Sequence, residues 1–164
     1  MTKLDITGTW TGEYWYFPNP VFPILPPRTS FSLVALQRGC LGRFSGTVQD
    51  ARVAGVLQEE AAIGGRVAGN RIRFWKQYAS YYVWMEDRLV TLGEEIRANL
   101  EITLDEEPQT APIRYRGKYV PEEGYAEGTW EFPTYGLQCW SDGRSFDILM
   151  PGCAGAWRMA RQSG

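Results

Sequence analysis

Apolar and polar residues alternate with a period of two along most of the chain, and Gly, Pro and Asn punctuate the alternation. The spacing predicts a first strand over 6–16, with Ile6, Gly8, Trp10, Gly12, Tyr14 and Tyr16 on one face. It predicts others over 30–37 (Phe31, Leu33, Ala35), 41–50 (Phe44, Gly46, Val48, Asp50) and 61–68 (Ala61, Ile63, Val67). Three more fall over 71–79 (Ile72, Phe74, Lys76, Tyr78), 112–120 (Ile113, Tyr115, Tyr119) and 125–133 (Ala126, Trp130, Phe132). One or two last strands cover 145–150 and 156–160. Eight or nine strands with one polar and one apolar face predict an all-β chain, a single domain over 1–164 built as an antiparallel up-and-down barrel. One stretch departs. Within 80–111, Leu89, Leu92, Ile96 and Leu100 recur at helical spacing and predict a short helical insertion; a long hairpin running on through Ile102 and Leu104 is the alternative.

Connection lengths sharpen this picture. The links Arg38-Gly39-Cys40, Gly69-Asn70 and Pro121 to Gly124 are short, and Gly69-Asn70 reads as a two-residue turn in which both residues tolerate positive φ. The links 17–29, 51–60, 80–111 and 134–144 are long. In a meander, alternate connections lie at opposite ends, so the long loops gather at one rim and the tight turns close the base. The first rim loop interleaves Pro18, Pro20, Pro23, Pro26 and Pro27 with Val21, Phe22, Ile24 and Leu25, and reads as a lid or a subunit contact. The insertion is acidic, with Glu86, Asp87, Glu94, Glu95, Glu101, Asp105, Glu106 and Glu107 against Arg88 and Arg97. Arg66, Arg71, Arg73, Arg114, Arg116 and Lys118 face outward on three strands; either the insertion covers this stripe or the charges are simply solvated.

Composition removes several chemistries. The 164 residues contain no histidine, which excludes Ser-His-Asp and Cys-His nucleophilic sites, His-ligated haem and most zinc sites; no metal or cofactor is expected. A net charge of −2, and the acidic insertion beside the arginine stripe, speak against nucleic acid and anionic membrane as partners. Cys40, Cys139 and Cys153 are sparse and unpaired in spacing, as reduced thiols are. With no apolar leader after Met1, the chain reads as cytoplasmic.

The opening Ile6-Thr7-Gly8-Thr9-Trp10, followed by a meander of short strands, resembles the calycin group of small barrels, the lipocalins and avidin-like proteins. The resemblance implies that Trp10 packs at the closed base against an arginine from the end of the barrel, for which Arg158, beside Trp157, is the candidate. Avidins carry Asn and Ser after this tryptophan for biotin, whereas Trp10 precedes Thr11-Gly12-Glu13-Tyr14, so no biotin site carries over. The haem-binding relatives use a histidine that this chain lacks.

Strand direction then sets depth. Tyr14, Asp50, Lys76, Tyr78, Tyr115 and Trp130 project inward near the rim and form the candidate ligand site, above a floor of apolar side chains. An inward charge costs several kcal/mol unless paired. Lys76 therefore pairs with Asp50 or Glu60, bends out to the rim water, or meets an anionic headgroup. Three functions follow: a binder of a small apolar or aromatic ligand, a metal-independent isomerase, cyclase or lyase using Tyr, Lys and Asp, or an interaction module with a filled barrel. Outward Trp15 and Trp75 predict a homodimer or larger assembly.

Overall fold

The computed structural model describes residues 4–20, 25–51, 59–85 and 88–163. Its strands are β1 (Gly8–Tyr16), β2 (Thr29–Arg38), β3 (Arg43–Asp50), β4 (Glu60–Ala68) and β5 (Arg71–Gln77). Then come β6 (Tyr82–Met85), β7 (Arg88–Thr91), the helix α1 (Leu92–Leu100), β8 (Ile113–Val120) and β9 (Tyr125–Phe132). The chain ends with β10 (Tyr135–Ser141), β11 (Arg144–Met150) and β12 (Cys153–Arg161). Eight strands close an antiparallel barrel in the order β1-β12-β9-β8-β5-β4-β3-β2, the up-and-down order expected from the alternation. The single described helix lies within the stretch of helical spacing. It starts with a capping box, in which Thr91 accepts from the Glu94 amide and Glu94 reaches back to the Thr91 amide.

The base of the barrel is filled by its own side chains. Trp10, Trp157, Ile6 and Ile72 are fully buried, and Phe74 stacks on Tyr115 with ring centroids 4.5 Å apart. Large rings lie over glycines: a β-carbon at Gly117 would lie 2.5 Å from Trp157, two strands away, and one at Gly155 would lie 2.6 Å from Trp130 on the neighbouring strand. Trp10 donates its indole N–H to the Ile6 carbonyl at 2.8 Å.

Four expectations need correction. Residues 145–150 are not a barrel strand: β11 pairs only with β10, in a separate ribbon, and the expected loop 134–144 contains β10. Asp142 (φ 49°) and Gly143 (φ 69°) form a two-residue turn with both residues at positive φ, which fixes this hairpin. The arginine over Trp10 is Arg161, 5.2 Å from the ring, and not Arg158. Trp157 and Met159 point inward, so Arg161 shares their face, whereas Arg158 points out to Glu127. Third, the acidic insertion does not cover the arginine stripe, whose members are exposed; it packs against the β10–β11 ribbon. Finally, Gly69 has φ 62° but Asn70 does not share the positive φ, so this turn is of the type with glycine at its first central position.

Of the outward tryptophans, Trp75 is 41% exposed, while Trp15 is half-buried beneath the Arg28 guanidinium, 4.3 Å from its ring. The apolar Val21, Phe22, Pro23 and Ile24 of the proline-rich loop, and Glu86 and Asp87 of the insertion, lie outside the described residues. No described helix is long and apolar enough to cross a membrane.

Candidate functional site

The rim end of the barrel is open. Above Tyr115 and Trp130 lies a cavity of about 600 Å³, and Tyr14, Asp50, Lys76 and Tyr78 also line it. All six candidate residues therefore face one space. This volume lies within the range of small-ligand pockets, roughly 300–1,000 Å³.

The polar groups converge on one carboxylate. Asp50 ends β3 and Lys76 lies near the end of β5, so the pair spans the intervening β4. The Lys76 ammonium donates to both Asp50 oxygens, at 2.7 Å and 2.8 Å. Tyr78 donates its hydroxyl to Asp50 Oδ2, and Tyr14 donates to the same oxygen at 3.3 Å. The ammonium also sits 4.7 Å from the Tyr78 ring and 5.1 Å from the Tyr14 ring. Of the two partners expected for Lys76, the structure selects Asp50 and not Glu60.

Burial decides the protonation of this cluster. Desolvation pushes the Lys76 ammonium below its ordinary value, with Asp50 acting in the opposite sense. Desolvation, and then the Asp50 charge, hold Tyr14, Tyr78 and Tyr115 well above the usual phenol range. These phenols stay protonated, and Tyr14 and Tyr78 act as donors. The cluster is a closed set in which one carboxylate takes an ammonium and two hydroxyls, and no described buried side-chain polar atom lacks a partner. An anion approaching Lys76 from the cavity meets the Asp50 carboxylate beside it. That arrangement disfavours an anionic headgroup and suits an uncharged one that exchanges hydrogen bonds with Tyr14 or Tyr78.

The roof is a second apolar cluster. Leu92 and Ile96 of α1 pack with Tyr81 and with Leu137, Cys139 and Met150 of the ribbon, and Phe132 touches both this cluster and the barrel core. Polar ties hold the roof together: Asp105 accepts from the Asp142 and Gly143 amides at 2.9 Å and 3.0 Å, and Ser141 donates to the Thr103 carbonyl at 2.8 Å. Leu92, Ile96, Met150 and Cys153 line the cavity from this side and are not among the six candidate ligand-site residues. Asp142-Gly143 was the available signal, since an Asp-Gly pair between alternating segments marks a hairpin. Among the described residues, no group of three or more Cys, Asp or Glu is placed to hold a metal ion.

Comparison with protein-family models, curated proteins and solved structures finds no match to this chain. The closed eight-stranded barrel is compatible with a calycin-like fold, and its function has to be argued from the cavity.

Proposed function

We propose that the barrel binds one small, predominantly apolar and uncharged ligand in the rim cavity, as lipocalins and other calycins hold ligands in a barrel cup. The observation that carries this reading is the roughly 600 Å³ space itself, apolar and aromatic on most sides, with the Asp50–Lys76 cluster on the barrel side and Glu95 and Asn99 of α1 on the roof. The filled base supplies a rigid floor, and the roof of α1 and the ribbon limits access. A ligand of about 20 non-hydrogen atoms at about 0.3 kcal/mol each gains about 6 kcal/mol, which corresponds to a Kd of tens of micromolar. Native mass spectrometry of the protein as purified tests the proposal. Retention of a single small molecule of constant mass supports it. Only bare protein, with no binding across a library of neutral aromatic and aliphatic compounds, contradicts it.

One observation favours a second reading. A buried lysine with a depressed proton affinity, bonded to a carboxylate beside a cavity, is also the apparatus of acid–base catalysis. In that case Lys76, Asp50 and Tyr78 act on the bound molecule without metal. Conversion of a retained ligand, abolished by Tyr78→Phe with binding preserved, separates the enzyme from the binder.

A further inference from the structure

The outer face of the barrel carries a pattern that the cup does not use. Arg38 of β2 lies opposite Arg43 of β3, and Arg43 opposite Arg66 of β4. Arg66 in turn lies opposite Arg73 of β5, and Arg73 opposite Arg116 of β8. Five arginines from five consecutive barrel strands thus form one unbroken cross-strand row. Arg71 and Lys118 face each other beside it, and Arg114 lies opposite Trp75. All eight cations are exposed.

The fold accounts for Arg66, whose Nε donates to the Leu41 carbonyl at 3.1 Å, but not for the row as a whole. Like charges directly opposite on a sheet are destabilising, whereas alternating signs at the same positions stabilise it. The chain has carboxylates enough to alternate, with 19 Asp and Glu to 17 Lys and Arg. Yet Glu60 is the one carboxylate at the outward positions of β2, β3, β4 and β5. Acidic residues return on β9, where Glu131 lies 3.7 Å from Arg116 and Glu127 pairs with Arg158 at 3.0 Å. An anion from outside relieves the repulsion that the sheet otherwise carries.

Shape narrows the choice of anion. Five consecutive strands of an eight-stranded barrel cover four of its eight intervals, about half the circumference. A flat membrane touches two or three neighbouring strands of such a convex wall; a flexible linear polyanion follows all five. Guanidinium forks match phosphate oxygens in pairs. Trp75 shares the outward face of β5 with Arg73 and is 41% exposed, and its ring lies close over Gly64, where a β-carbon would come within 2.6 Å of it. A ring so placed offers a face on which a base stacks.

We propose that this row is a track for single-stranded nucleic acid, with phosphates along the arginines and a base on Trp75. The opposite expectation rests on the net charge of −2 and on an acidic insertion beside the stripe; the row concentrates positive charge on one face whatever the net charge. That insertion packs with the ribbon at the rim, whereas the row starts at the β2–β3 turn in the base.

The test is fluorescence anisotropy of the full chain with a labelled oligothymidine longer than the roughly 16 nucleotides one small barrel covers. Five phosphate contacts at a slope of about −0.7 each weaken binding about a hundredfold between about 50 and about 200 mM salt. Arg66→Ser with Arg73→Ser is expected to reduce the magnitude of the salt slope by about 1.4, and Trp75→Ala to weaken binding without changing that slope. The thermal midpoint of Arg73→Ser alone is expected to hold or rise, because a like-charged neighbour is gone while the Arg66 bond to the Leu41 carbonyl is kept. The proposal is overturned by absence of binding at about 50 mM salt, by unchanged affinity in the double variant, or by polyglutamate or phosphatidylserine vesicles binding as tightly as the oligonucleotide.

Discussion

Replacing Lys76 with methionine keeps the length and apolar stem of the side chain and removes the charge that faces Asp50. The Lys76 side chain is 3% exposed and that of Asp50 is 16% exposed, with N···O distances of 2.7 Å and 2.8 Å. At about 3 Å and an effective dielectric near 20, the attraction is about 5–6 kcal/mol. Desolvation of each ion costs several kcal/mol, so the two effects nearly cancel. Removing one partner keeps the desolvation cost of the other and loses the attraction. Lys76→Met is therefore expected to destabilise the protein by about 3 kcal/mol, the low end of the usual range, because Tyr14 and Tyr78 still donate to Asp50. Asp50→Asn, which strands the more deeply buried ammonium, is expected to cost about 4–5 kcal/mol at neutral pH. In that variant the folded-state pKa of Lys76 falls further below its unfolded value. The unfolded chain then binds the extra proton, so stability rises with pH up to the ordinary lysine value of 10.5. The double variant Asp50→Asn with Lys76→Met is expected within about 1 kcal/mol of the parent, or more stable. Urea denaturation with unchanged m-values measures all four corners of the cycle. If the two single costs simply add in the double variant, within about 0.5 kcal/mol, the pairing argument fails.

Trp10→Ala removes a fully buried indole from the base and is expected to cost about 3–5 kcal/mol in the same urea assay. Alkaline titration followed by tyrosinate absorbance should show Tyr14, Tyr78 and Tyr115 silent through the ordinary phenol range. Their raised folded-state values give stability that is fully present below pH 10 and lost as pH climbs above it, so these phenolates should appear only together with unfolding. Cys40 is exposed, whereas burial pushes the Cys153 thiol up to about 11. Timed alkylation should modify Cys40 first, and a cavity ligand should slow modification of Cys153 further, because Cys153 lines that space.

The barrel was legible because one-sided burial imposes a strict period of two. Phe74, Lys76 and Tyr78 had to share a face whatever the register, and so did Tyr14 with Trp10. Loop lengths then gave the polarity of the cup, which is why six rim residues on five different strands were found together. Two inward charges are also visible, with Asp50 one of two partners read for Lys76, but the choice of Asp50 over Glu60 is not, since the reach from β5 to β3 depends on the register of β4 between them. The helical half of the roof is legible as an insertion at the rim, but the ribbon half is not, for a local reason. Leu137 and Cys139 alternate over too short a span, between Pro133 and Pro151, to stand out from a loop, and the Asp142-Gly143 turn was left unused. Arg158 was preferred to Arg161 for its place beside Trp157, although adjacent residues on a strand face opposite ways. The arginine row needed the register too: sequence shows outward arginines on each strand but not that they stand side by side.

The binding claim is tested most directly by titrating the protein with a neutral naphthalene fluorophore and repeating the titration with Ile113→Trp. Ile113 lies opposite Lys76 on β8 and lines the cavity, so the larger ring fills space next to the polar cluster without touching the barrel base. One saturable site with a blue-shifted emission, lost in the variant while its thermal midpoint is kept, is the expected result. Absence of saturable binding to the parent protein, or equal affinity in Ile113→Trp, contradicts the cup as a ligand site.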